Sequence, residues 1–277
     1  MKTLLIALSL LMSFSVLAQN EFQVTKKGNG PPIILLPGFT CTAAVWENIE
    51  AGLTPNHELH LFTFAGFGDT PPIAFPWLPK IKEAIVKYVA DNKLEKPIII
   101  GHSLGGTLAL WLAADHPDVF SKVIVVDGLP AMGALMIPDY DSGKIGYESD
   151  YNKQLLQMDA DSFKTMAAQM ANAMTLNKDK VPQLIEWSLQ SDRETYVYGY
   201  TDLLKLDLRS KLSQITIPVT ILAATHPFGK EMVASTYTTQ FKALKNYDIY
   251  YAENAAHFIM YDQPEWFQQK IVSEIQK

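Results

Sequence analysis

Gly101-His102-Ser103-Leu104-Gly105, followed by Gly106, fits the spacing G-x-S-x-G. An apolar run, PIII, precedes it, and the small-residue stretch LGGTLALWLAA follows it. A serine on such a strand-to-helix turn has a strained backbone crowded by its neighbours, so glycine is needed on both sides. The turn holds the hydroxyl clear of the sheet, at the positive N-terminus of a helix. That places an oxygen nucleophile where it can meet a carbonyl carbon. The pentapeptide alone recurs by chance, and its plain alternative is a glycine-rich turn packing a helix on a sheet. The strand before it and the helix after it make the nucleophile the better reading.

A serine is a weak nucleophile without a base. Six histidines are available: His57, His60, His102, His116, His226 and His257. His257, in AENAAHFIMYDQPEWF, follows the last expected strand and precedes the last expected helix. Its loop therefore lies at the carboxyl edge of the sheet, the same edge as Ser103. His102 adjoins the serine and points elsewhere. His57, His60 and His116 fall towards the opposite edge. His226, after the strand PVTILAAT, is the one competitor.

Hydrophobic periodicity supplies the elements that position these residues. FQVTKKG reads as a strand and GNGPP as a turn. IILLP is a continuous apolar run, as for a strand buried on both faces, and PIIIGH and KVIVVD read as strands. HELHLFTFAG, PVTILAAT and YDIYYAE complete the strands. Helices are expected over Ala43 to Gly52, Pro79 to Asn92, Leu104 to Asp115, near Lys230 to Leu244, and from Pro264. Strands alternating with helices give an α/β fold with a mostly parallel, doubly wound sheet. Residues 129–208 break the rhythm, with helical patterns but no apolar strand. They read as a helical cap inserted between two strands of a core made from 19–128 and 209–277.

The chain has 277 residues, of which 48% are hydrophobic and 19% charged, which excludes a disordered chain. A net charge of −6 without a basic block argues against a nucleic-acid partner. One cysteine, Cys41, excludes an intramolecular disulfide and a cysteine-rich metal site. Residues 1–18 carry one charge, Lys2, then an apolar stretch ending V-L-A at Ala18, the pattern of a secretory signal peptide. The expectation is cleavage before Gln19 and export to the periplasm or beyond. No later stretch reaches the roughly 18 apolar residues of a membrane span, so no stable membrane insertion is expected after cleavage.

The whole pattern resembles the α/β-hydrolase superfamily, in its branch of small capped serine esterases and lipase-like enzymes. The resemblance rests on GNGPPIILLPGF, Trp46, FAGFGDT, GHSLGG, KVIVVDG, IPVTIL and AAHFIMYDQPEWF, in that order over nearly the whole mature chain. It implies the order nucleophile, acid, histidine, which Ser103 and His257 obey. Relatives often carry His-Gly after the strand that here reads IILLP, whereas this chain has Pro37-Gly38-Phe39. An oxyanion hole needs backbone N–H groups, and those of Phe39 and Leu104 are the implied donors. Relatives commonly place the acid just after the strand PVTILAAT, but residues 225–229 contain no carboxylate. Other members place it at the end of the strand after the elbow helix, which here is Asp127. Glu231, Glu253, Asp69 or no acid at all are the alternatives.

These readings converge on a serine hydrolase cleaving small to medium apolar esters, with no cofactor and no metal. Its partner would be a small-molecule ester, and oligomeric state is left open. Met132, Met136, Phe228 and Phe258 are the candidate pocket residues. Met166, Met170 and Met174 recur on one cap helix, as gap filler or as a soft acyl wall. Cys41 and Trp46 read as buried residues. An aminopeptidase or amidase is the second reading, with Asp139, Asp141, Glu148 and Asp150 available to grip an ammonium. A non-catalytic binding protein on the same scaffold is the third. Serine at the elbow argues against haloalkane dehalogenase or epoxide hydrolase chemistry, for which a carboxylate is needed there.

Overall fold

The computed structural model describes residues 21–277. The expected signal peptide lies outside the described residues. The first half of the chain forms β1 (Phe22–Lys27), β2 (Pro32–Leu36), α1 (Glu47–Leu53), β3 (Glu58–Phe64), α2 (Trp77–Asp91), β4 (Ile98–His102), α3 (Leu104–Asp115) and β5 (Lys122–Val126). Five helices follow with no strand between them: α4 (Met132–Met136), α5 (Asp150–Gln157), α6 (Ala160–Met174), α7 (Val181–Gln190) and α8 (Tyr200–Lys205). The chain then returns through β6 (Val219–Ala224), α9 (Lys230–Gln240), β7 (Tyr247–Ala252), α10 (Ile259–Asp262) and α11 (Pro264–Ile275).

The seven strands make one sheet in the order β1-β3-β2-β4-β5-β6-β7. Only β1 runs antiparallel to its neighbour. The central strands β5 and β6 are buried along their whole length, whereas the edge strands β1 and β7 are largely exposed or half-buried. That is why the central sequences are mostly Val, Ile, Leu and Ala while the edges are richer in polar residues such as Lys, Gln and Asp. Side chains alternate between the faces. In β2, Ile34 and Leu36 enter the core with Phe64, Trp77 and Leu108 on one side. Ile33 and Leu35 enter the core with Trp46, Ile49 and Phe267 on the other. Helix α3 is covered almost all round, which its run of Leu, Ala and Gly permits.

Register sets the height of the functional edge. Gly101 and His102 of β4 pair with Val125 and Val126 of β5, and Val126 pairs with Leu222 of β6. The ladder continues one residue beyond the strands. The Ser103 N–H donates to the Val126 carbonyl and the Asp127 N–H to the Leu222 carbonyl, each at 2.8 Å. Ser103 and Asp127 thus leave adjacent strands at the same level.

The elements match the sequence expectation with informative differences. The helix expected over Ala43 to Gly52 is a 3-10 turn, Ala43–Trp46, leading into α1. Helix α2 starts at Trp77 because Asp202 of α8 caps it from across the fold. One Asp202 oxygen accepts from the Trp77 and Leu78 N–H groups, at 2.7 and 3.1 Å. Such a tertiary cap leaves no mark in the local sequence. The inserted helices are further held by the Asp192 N–H bond to the Gly66 carbonyl at 2.8 Å. A π turn at Thr195–Gly199 leads into α8 and brings Tyr196 and Tyr200 against Phe39, with ring centroids 5.6 and 5.4 Å apart. No helix among the described residues is long and apolar enough to cross a membrane.

Candidate active site

Ser103 sits between β4 and α3 with φ 54° and ψ −118°, a conformation that non-glycine residues rarely adopt. The tightness of the turn explains the flanking glycines. A Cβ at Gly101 would lie 2.1 Å from the Gly105 carbonyl oxygen, and one at Gly105 would lie 2.3 Å from that of Leu36. Both obstacles are backbone and cannot swing aside. Gly101→Ala is therefore expected to destabilise the fold by at least about 3 kcal/mol, the upper end of ordinary overpacking. A urea titration reads this directly, and a loss below about 1 kcal/mol would show that the turn relaxes.

His257 and Asp127 meet. The His257 Nδ1 and the Asp127 Oδ2 are 2.7 Å apart. The other carboxylate oxygen, Oδ1, accepts from the Ala224 N–H at 2.9 Å and from the Tyr237 hydroxyl at 3.1 Å. Ionised Asp127 can only accept, so the His257 Nδ1 carries the proton and its Nε2 presents a lone pair. The competing acids make no such contact. Glu231 is exposed in the first turn of α9, Asp69 is exposed, and Glu253 faces Lys230 at 3.4 Å. His226 is exposed as well.

His102 supports the loop of His257. Its Nε2 lies 3.0 Å from the His257 backbone carbonyl, and the two rings are 4.7 Å apart. Since a carbonyl only accepts, His102 donates through Nε2. Burial, then the nearby His257, push its pKa well below the ordinary histidine range, so the ring stays neutral. Its buried Nδ1 has no hydrogen-bond partner among the described residues. That atom faces Gly38, where a Cβ would come within 2.6 Å of it. The Ser103 hydroxyl makes no hydrogen bond to His257 among the described residues. In unliganded enzymes such bonds are commonly long and tighten when substrate arrives.

The Phe39 and Leu104 N–H groups have no protein acceptor among the described residues. Leu104 opens α3, where the first N–H groups lack intrahelical partners. The Phe39 ring packs on Phe67 and Trp77 as well as on Tyr196 and Tyr200, which fixes the turn that carries its N–H. Cys41 nearby is fully buried, and that burial pushes its thiol far above the usual range. It stays protonated and is no nucleophile.

The four pocket residues expected from sequence divide. Met132 is half-buried against the main core. Met136 is 55% exposed, and its sulfur accepts from the Tyr200 hydroxyl at 3.2 Å, so it stands at the rim of the Phe39–Tyr200 cluster. Phe228 requires correction. It is 66% exposed, because the turn His226–Gly229 runs outside the core, and it forms no wall. Phe258 is also corrected. It is buried behind His257, stacked on Tyr261 at 5.5 Å and 4.8 Å from His102, and supports the histidine instead of lining a cavity.

Sequence reasoning missed Tyr237 and Asp262. Tyr237 belongs to no motif and reaches Asp127 only through the fold. Asp262 ties the His257 loop to the inserted helices. Its Oδ2 accepts from the Ala256 N–H at 2.7 Å. Its Oδ1 accepts from the Thr175 hydroxyl and the Leu176 and Asn177 N–H groups, at 2.6, 2.9 and 3.1 Å. Its position five residues after His257 was the available signal.

The sequence profile of the alpha/beta hydrolase family matches residues 33–269. The chain belongs to this family. Among curated relatives of this alpha/beta hydrolase is a pimeloyl-[acyl-carrier protein] methyl ester esterase of Aeromonas hydrophila subsp. hydrophila. It is 26% identical over 203 residues, 70% of this chain and 76% of the relative. The enzyme of the same description from Vibrio vulnificus (strain YJ016) is 24% identical over 200 residues, 70% of this chain and 74% of its own. Among solved structures, the enol-lactonase from Burkholderia xenovorans LB400 superposes with a TM-score of 0.76 at 15% identity, covering 92% of this chain and 96% of the other. The esterase from Exiguobacterium antarcticum gives 0.76 at 17% identity, over 92% and 96%. At such identities the structural likeness establishes the alpha/beta hydrolase fold alone.

Proposed function

We propose that this alpha/beta hydrolase cleaves carboxylic esters of small to medium apolar acyl groups through an acyl-serine intermediate. The observation that carries the reading is the 2.7 Å His257–Asp127 pair at the strand edge that also presents Ser103. The Ser103 Oγ attacks the acyl carbon while the His257 Nε2 takes its proton. The carbonyl oxygen gains negative charge and is held by the Phe39 and Leu104 N–H groups. The C–O bond to the alcohol then breaks, and His257 returns the proton to the leaving oxygen. Water, deprotonated by His257, attacks the acyl-serine, the bond from the Ser103 Oγ to the acyl carbon breaks, and His257 returns the proton to Oγ as the acid leaves. Asp127 keeps the imidazole oriented and stabilises its charged form throughout. Every step uses side chains and backbone N–H groups of this chain.

The names of the curated relatives, methyl ester esterases at 24–26% identity, support esters as the substrate class. The apolar N-terminal residues 1–18 support export, after which residues 129–208 would form the cap over the site. A panel of p-nitrophenyl esters from acetate to octanoate, beside alanine p-nitroanilide, tests the substrate class. The esters are expected to be hydrolysed with kcat/KM at least about 10³-fold above the anilide. Preference for the anilide would overturn the ester reading in favour of an aminopeptidase.

A further inference from the structure

We propose that Tyr237 is a positioning residue for the acid, holding the Asp127 carboxylate in the plane from which it orients His257. This rests on the serine-hydrolase reading above. The carboxylate leaves β5 at a residue with φ 47° and must serve a histidine carried on the far side of β6. Oδ2 is committed to His257, so rotation about the Cβ–Cγ bond is restrained only through Oδ1. That oxygen has two donors from two different elements, the Ala224 N–H at the end of β6 and the Tyr237 hydroxyl of α9. With the hydroxyl removed, one backbone donor remains, and the carboxylate can twist away from Nδ1.

Tyr237 is built for this. It is 5% exposed, and its ring lies 5.6 Å from that of Phe241 at an interplanar angle of 5°, which fixes where the hydroxyl points. Burial, followed by the Asp127 charge, raises its pKa well above the ordinary tyrosine range, so it keeps its proton and remains a donor. Helix α9 is anchored by the Gln240 side-chain amide, whose Nε2 donates to the Ala131 carbonyl at 3.1 Å. The turn before α9 carries no carboxylate and α9 carries this tyrosine, so the segment after β6 steadies an acid supplied by β5. One effect opposes the proposal. A donor on Oδ1 withdraws charge from the carboxylate and by itself weakens its hold on an imidazolium. The proposal therefore requires that the gain in orientation exceed this loss.

The test is a double-mutant cycle on the full chain, read as p-nitrophenyl butyrate hydrolysis with thermal midpoints alongside. Tyr237→Phe keeps the ring and removes the bond. It is expected to lower kcat by about tenfold, the scale of a hydrogen bond to a charged group, with KM changed less than about twofold. In an Asp127→Asn background the same change is expected to alter kcat by less than about twofold, because the carboxylate it positions is gone. Tyr237→Leu should reproduce the loss of Tyr237→Phe. A Phe variant as fast as the parent or faster overturns the proposal. So does an undiminished loss in the Asp127→Asn background, or a loss with Leu and none with Phe, which is packing. Ser103→Ala separates the two levels. If hydrolysis survives it, the serine-hydrolase reading fails. If it does not survive and Tyr237→Phe is silent, only the role of Tyr237 fails.

Discussion

Ser103→Ala is expected to lower kcat for ester hydrolysis by about 10⁶-fold while leaving the fold intact. The magnitude follows from what the hydroxyl does. It supplies the bond-forming oxygen, and the Cys41 thiol, buried and held protonated, cannot replace it. The residual rate reflects binding and the Phe39 and Leu104 N–H groups, worth about 10³- to 10⁴-fold over water. Stability should change little, because the Ser103 hydroxyl makes no hydrogen bond among the described residues and alanine fits the same turn. A Ser103→Ala protein that turns over esters within about tenfold of the parent would place the chemistry elsewhere.

Asp127→Asn is expected to cost about 10⁴-fold in kcat. An asparagine of the same shape can turn its amide NH₂ toward His257, which then must accept at Nδ1 and carry its proton on Nε2. That is the wrong tautomer for a base facing Ser103. The Ala224 N–H, a backbone donor, favours the amide oxygen at Oδ1 and so enforces this arrangement with or without the Tyr237 hydroxyl. Glu231→Gln is the matched control and should be silent, because Glu231 is exposed at the start of α9. A large loss in the Glu231 variant with none in the Asp127 variant would move the acid to the turn after β6.

Much of this was legible in the sequence because it is written locally. Unbroken apolar runs give the central strands, and a Gly-x-Ser-x-Gly turn between strand and helix gives the elbow. The His257 edge follows from strand alternation alone. Asp127 was reached differently, through the missing carboxylate in residues 225–229 and the precedent of the resemblance. What escaped was written across the fold. Asp202 caps α2 from more than a hundred residues away, and Tyr237 supports Asp127 from another helix. Phe228 misled because an aromatic near the carboxyl edge of a sheet reads as pocket lining, whereas the turn carries it outward. Phe258 misled in the opposite sense, since its neighbour His257 is at the site while its own ring packs behind it.

Whether Ser103 is an activated nucleophile is read most directly by reacting the folded chain with a fluorophosphonate and mapping the adduct by mass spectrometry. One phosphonyl group per chain is expected on Ser103, absent from Ser103→Ala and strongly slowed in His257→Ala. An unreactive folded chain, or an adduct on another residue with Ser103 untouched, would contradict the serine-hydrolase assignment.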